Sequence, residues 1–110
     1  MAKALVADRL QACLDACAEC VEACEACVQH CLASSDMAEC NRLCLDCATF
    51  CSTFHTLLSR DSRFIGAYAR LCTEVCGECA EECARHDSES CRRCAEVCRR
   101  CTEECRALAA

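Results

Sequence analysis

The sequence predicts an all-α fold, an antiparallel up-down-up-down four-helix bundle with a cysteine-lined core. Three observations support it. The chain of 110 residues holds no proline and two glycines, so the residues that interrupt helices are nearly missing. Its nineteen cysteines form four groups. Inside every group the steps alternate between three and four residues, which keeps each cysteine on one seam of a helix. A strand would need steps of two, and none occurs. Residues 1–110 are expected to form a single domain.

The first helix, expected at about 3–33, carries Cys13, Cys17, Cys20, Cys24, Cys27 and Cys31. The second, about 37–58, carries Cys40, Cys44, Cys47 and Cys51. The third, about 62–85, carries Cys72, Cys76, Cys79 and Cys83. The fourth, about 88–107, carries Cys91, Cys94, Cys98, Cys101 and Cys105. Polar breaks separate them: Ser34-Ser35-Asp36, Ser59-Arg60-Asp61-Ser62 and His86-Asp87-Ser88. Asp36 with Glu39 has the form of a capping box at the start of helix two. Asp61 or Ser62, and Asp87 or Ser88, are the candidate caps of helices three and four. Short loops between long helices make sequence neighbours antiparallel.

The outward positions agree. Helix one presents Asp15, Glu19, Glu22 and Glu25, and helix four presents Arg92, Arg93, Arg99, Arg100 and Arg106. First and last helices adjoin in such a bundle, so these charges are placed to complement each other. The formal net charge of −6 weighs against nucleic acid and anionic membranes as partners. The first nine residues have no apolar core of a signal peptide, and no stretch is long enough to span a membrane. Both point to the cytoplasm, where thiols stay reduced. Nineteen is also odd, which disfavours a disulfide scaffold.

Two or three cysteines in a domain would read as small buried hydrophobes. Filling nearly every seam position with them is different, because Leu or Ile there would give a more stable bundle. The thiols are therefore wanted as thiols. Catalytic thiols need an activating neighbour and a resolving partner, and no charged residue is expected inside the seam. That favours binding over enzymatic activity and makes a thiol redox protein the weaker alternative.

Soft thiolates suit Cu(I), zinc and iron–sulfur clusters. The loop run of a ferredoxin is missing. Structural zinc takes four ligands per ion, usually from knuckles on turns. Cu(I) is content with two, and i, i+4 cysteines lie on one helix face. Nine such pairs can be drawn: Cys13/Cys17, Cys20/Cys24, Cys27/Cys31, Cys40/Cys44, Cys47/Cys51, Cys72/Cys76, Cys79/Cys83, Cys94/Cys98 and Cys101/Cys105, leaving Cys91 over. If each Cu⁺ replaces one thiol proton, the interior stays neutral at every loading. Bridging sulfurs then set a ceiling of about one Cu(I) per cysteine. Divalent zinc at that density would leave the interior heavily positive. Cu(I) ranks first, and a zinc or cadmium buffer second.

These features resemble the four-helix-bundle copper storage proteins, in the branch without an export signal. The likeness covers the whole chain. It implies high-capacity Cu(I) binding for copper homeostasis, a ligand role for all nineteen cysteines, copper taken from a donor or a small-thiol pool, and a homo-oligomer, typically a tetramer.

The a/d register also separates the two ends of the bundle. At the end holding the N-terminus it continues as Val6 and Leu10, Phe54 and Leu58, Ile65 and Ala69, and Leu108, an apolar plug. At the other end it gives Met37, His86 and Asp87 beside Cys31, Cys40, Cys83 and Cys91. Thioether and imidazole are both Cu(I) ligands, so Met37 and His86 are the candidate metal residues at an entrance. His30 is expected on the surface at that end, and His55 in a structural role near the plug. Leu14, Val21 and Val28, with Leu43, Phe50 and Leu57, form flanking apolar stripes. Any part of them left exposed would mark an oligomer interface.

Overall fold

The computed structural model describes the backbone of residues 2–110 and the side chains of residues 7–110. Four helices follow one another: α1 (Ala2–Cys31), α2 (Ala38–Ser59), α3 (Ile65–Cys83) and α4 (Glu89–Leu108), with a single 3-10 turn at Ser35–Met37 before α2. Each helix packs on its sequence neighbours, and α1 packs on α4, which closes the ring. The expected up-down-up-down bundle is thus the observed one. It measures 48 × 19 × 18 Å. Thirty residues of α1, at about 1.5 Å each, account for nearly the whole length. Among the described residues no helix is long and apolar enough to cross a membrane.

The caps differ from expectation at two of three loops. Asp36 and Glu39 form no capping box: α2 follows the 3-10 turn directly, and its N-cap, Met37, has no side-chain cap bond. The backbone supplies the turn instead, through Met37 N–H donating to the Ser34 carbonyl at 3.2 Å. Asp61 does not start α3; it ends α2. Its φ of 51° is left-handed, which Asp tolerates better than most residues. Asp61 N–H bonds to the Leu58 carbonyl and Ser62 N–H to the Leu57 carbonyl, a Schellman closure. The Ser62 hydroxyl then accepts from Phe64 N–H, and α3 begins three residues later than expected, at Ile65. At the third loop the choice falls on Ser88, whose Oγ accepts from Cys91 N–H at 3.1 Å, and Asp87 stays exposed outside the helix.

The plug forms as expected from the side chains described. Phe54, Leu58 and Ala69 are buried, with Leu10, Ile65 and Leu108 half-buried against them. The Val6 side chain lies outside the described residues. Tyr68 completes the plug: its ring stacks on Phe54 at 5.5 Å and meets Phe50 at 5.8 Å. Ala110 N–H donates to the Gly66 carbonyl at 3.1 Å. That close approach needs glycine, since a Cβ on Gly66 would come within 2.7 Å of the Ala110 methyl. The α1 and α4 charges meet as anticipated, Arg93 with Glu22 at 3.0 Å and Arg100 with Glu19.

Candidate metal centre

The seam of every helix faces inward, so the thiols meet in one column. All nineteen cysteines are free and buried. Eighteen have no exposed surface, and Cys31 has 6%. Nearest sulfurs belong mostly to different helices. Cys20 touches Cys47 at 3.5 Å and Cys98 at 3.6 Å, and Cys51 touches Cys76 at 3.5 Å. Diagonal helices also meet through sulfur, as in Cys44–Cys94 at 3.9 Å and Cys51–Cys101 at 3.8 Å. Such distances are far beyond the ~2.05 Å of a disulfide. The short sulfur contacts within one helix are Cys94–Cys98 and Cys101–Cys105, both 3.9 Å. The i, i+4 pairs drawn from the sequence are therefore interleaved with their neighbours across the core.

Four-sulfur sets arise all along the column. Cys20, Cys51, Cys76 and Cys101 come one from each helix, with sulfurs within 4.8 Å of one another. Cys27, Cys40, Cys44 and Cys83 form a similar set, as do Cys44, Cys79, Cys83 and Cys94. Cys44 and Cys83 belong to both, so the sets share sulfurs and merge into a continuous ligand array. Cys91, left unpaired in the sequence reading, has its sulfur 3.7 Å from Cys27.

Burial pushes the thiols at the mouth toward the protonated form. Cys31 and Cys40 are pushed up to about 12, first by loss of solvation. Cys91 is raised for the same leading reason. Deeper in, Cys47 is raised by hydrogen bonds with Cys20 and Cys24, then by burial. A metal-free column of neutral thiols costs little to bury, whereas isolated thiolates there would be prohibitive.

Met37 is buried in the core at the mouth, beside the thiol end. His86 is partly exposed there, and its Nε2 lies 2.9 Å from Glu82 Oε2. Glu82 was not anticipated. It is a buried carboxylate next to Cys83, where no charged residue was expected, and it is compensated by Arg85 at 2.9 Å as well as His86. The spacing of Arg85 and His86, three and four residues after Glu82, was the available signal. His30 is exposed and His55 half-buried next to Phe54, as expected. The Asn41 side chain, also unforeseen, donates to the Cys31 carbonyl at 3.3 Å and ties the end of α1 to α2.

The flanking stripes are largely used in packing: Val28 is buried, and Leu14, Val21, Leu43, Phe50 and Leu57 lie half-buried against the core. Among the described residues, the large apolar side chains left exposed are Leu32, Leu45, Phe64 and Leu71.

Among solved structures, the chain is similar to the Cu(I)-bound copper storage protein BsCsp3, with 36% identity and a TM-score of 0.88 over 93% of this chain and 99% of that one. It is similar to the metal-free copper storage protein 3 from Bacillus subtilis, with 37% identity and a TM-score of 0.86 over 91% and 98% of the two chains. It is likewise similar to a cytosolic copper storage protein from Streptomyces lividans holding five coppers, with 36% identity and a TM-score of 0.87 over 92% of each chain. A search of curated proteins finds no match. The family model for copper storage proteins matches residues 6–110. A bundle filled with shared thiols and this span of family likeness lead to one conclusion: the chain belongs to the copper storage protein family.

Proposed function

We propose that this protein is a cytoplasmic, non-catalytic store of Cu(I), one domain of residues 1–110 in which all nineteen cysteines serve as ligands at about one ion per cysteine. The observation that carries the reading is the continuity of the thiol column, whose four-sulfur sets share members. Shared sulfurs suit a monovalent ion. Each Cu⁺ replaces one proton, so a full column remains neutral, and the sulfur that binds one ion bridges to the next.

Zinc is the second reading, and one feature favours it. The set Cys20, Cys51, Cys76 and Cys101 has four sulfurs close enough to surround a single tetrahedral ion. Zinc, however, uses four thiolates and neutralises only two. A few sites could be filled that way, but not the whole column. Anaerobic titration followed in the ultraviolet separates the two: thiolate–copper charge-transfer bands should rise to saturation, and excess zinc should not suppress them. Zinc that displaces the bound copper would overturn the assignment.

Met37 and His86 are read as entrance ligands at the thiol end of the bundle, with Glu82 holding one nitrogen of His86. Support for the cytoplasm comes from the Streptomyces lividans relative, which is described as cytosolic. Leu32, Leu45, Phe64 and Leu71 are apolar and exposed on the single chain, which supports a homo-oligomer, a tetramer by resemblance to the family.

A further inference from the structure

The thiols do not meet solvent equally. Cys31 alone is partly exposed. Among the described residues its Sγ is also the one cysteine sulfur without a hydrogen-bond partner, while its neighbours Cys27 and Cys91 are paired with each other. It opens into a groove of about 510 Å³ between the C-terminal end of α1 and the N-terminal end of α4. Ala23 and Ala26 leave the room for it, and His30, Ser88, Glu89, Ser90 and Arg93 form its rim.

In a protein of net charge −6, the rim carries one full cation, Arg93, with Glu89 as the opposite charge. Arg93 gives one nitrogen to Glu22 on the flank, at 3.0 Å, and keeps its remaining N–H groups for a ligand. The first N–H groups of α4 end here too. Ser88 Oγ takes that of Cys91, and those of Glu89 and Ser90 have no intrahelical acceptor. Glu89 is the single acid on the rim. A buried, unpartnered thiol at the base, with the Arg93 guanidinium and the free N–H groups of α4 at the lip, fits a small thiol that carries Cu(I) on its sulfur and a carboxylate for those donors. The groove volume is ligand-sized, within the roughly 300–1,000 Å³ of small-molecule sites. A folded donor would instead need about 800 Å² of matching surface.

We propose that this groove receives Cu(I) as a complex with a low-molecular-weight anionic thiol, and that Cys31 makes the first ligand exchange. The proposal rests on the copper storage reading. In the step, the Cys31 thiol loses its proton and its sulfur binds Cu(I). One carrier thiolate leaves the metal and takes up that proton. RS–Cu–SR⁻ and Cys31–SH thus become Cys31–S–Cu–SR⁻ and RSH, with copper remaining Cu(I). Exchange of the second carrier thiolate for Cys27 or Cys91 repeats the same proton transfer and passes the ion inward.

The test compares loading of the reduced apo-protein from Cu(I)–glutathione and from Cu(I) in acetonitrile, which carries no anion. Arg93→Glu should slow loading from the glutathione complex about tenfold relative to loading from acetonitrile, within the usual range of charge steering. Glu22→Gln breaks the same ion pair but keeps the cation, and should not slow the glutathione route. S-methylglutathione, which cannot bind copper through a thiolate, should shift the amide resonances of residues near 26–31 and 88–93. Equal ratios in wild type and Arg93→Glu, or unshifted amides, would overturn the groove assignment. Failure to take up copper from acetonitrile would strike the storage reading itself, so the two failures are distinct.

Discussion

The Nε2 of His86 lies 2.9 Å from the Oε2 of Glu82, one turn earlier on α3. The pair stands at the mouth of the thiol column, and the carboxylate fixes one ring nitrogen while leaving Nδ1 for a metal. A carboxylate hydrogen-bonded to the far nitrogen of an imidazole ligand orients the ring and raises its basicity. Replacing His86 and Met37 together by alanine should slow transfer from a copper donor and leave final capacity nearly unchanged. Glu82→Gln should slow it in the same direction with both ligands present. Stopped-flow absorbance measures both variants, and normal rates would remove these residues from the path.

The opposite end should behave differently. Phe54 is fully buried and stacked on Tyr68, with Leu10 half-buried beside it. Neither offers a ligand. Truncating Phe54 alone should cost about 3–5 kcal/mol of stability in the apo-protein, and the Leu10→Ala, Phe54→Ala pair more. The loading rate of the pair should barely change. Denaturant unfolding and stopped-flow loading together check this; faster loading through the loosened plug would place the entrance at the wrong end.

Metal should not be needed for folding. Helix patterning, the Schellman closure at Asp61, the Ser88 cap and the plug are all made by backbone and side-chain groups that are not thiol ligands. Circular dichroism of the reduced apo-protein should show full helical content, unlike a zinc finger, which folds on binding. A coil that becomes helical only with copper would contradict this.

The two desolvated thiols at the mouth, Cys31 and Cys40, make a contribution to apo-protein stability whose sign follows from their shifts. Cys31 and Cys40 ionise at about 12 in the folded chain, against 9.0 for an ordinary cysteine. Between these values the unfolded chain binds fewer protons than the folded one. The stability these two thiols contribute is therefore fully present below pH 9 and falls as pH rises toward 12. Copper-loaded protein has exchanged those protons for metal and should lose the effect. Anaerobic thermal melts across that range test it; a flat apo profile would be the contrary result.

The architecture was legible because two periodicities coincide: the seam that makes a helix amphipathic is also the seam that carries the ligands. Cys13 to Cys31 and Cys91 to Cys105 needed nothing beyond their spacing to be placed inside. The loops were harder. Asp61 looks like an N-cap, yet the same side chain tolerates the left-handed backbone that closes α2, and only the Leu57 and Leu58 carbonyls decide between them. Pairing inside the core was hidden for another reason. Sequence spacing gives neighbours along one helix, but Cys20 finds Cys47 and Cys98 across the bundle, and that depends on helix rotation and axial offset. Glu82 escaped because a charge one position from a seam cysteine normally faces water; the ion pair with Arg85 and the hydrogen bond with His86 allow its burial.

Capacity is the most direct test of a thiol store. Anaerobic titration of the reduced protein with Cu(I), in the presence of a chromophoric competitor, gives the number of ions bound before free metal appears. Saturation near one per cysteine, about 19, is expected. Cys47→Ser with Cys51→Ser should lower it by about two while circular dichroism stays unchanged. Saturation at only a few ions, or the same capacity with two thiols removed, would show that the column is not what holds the copper.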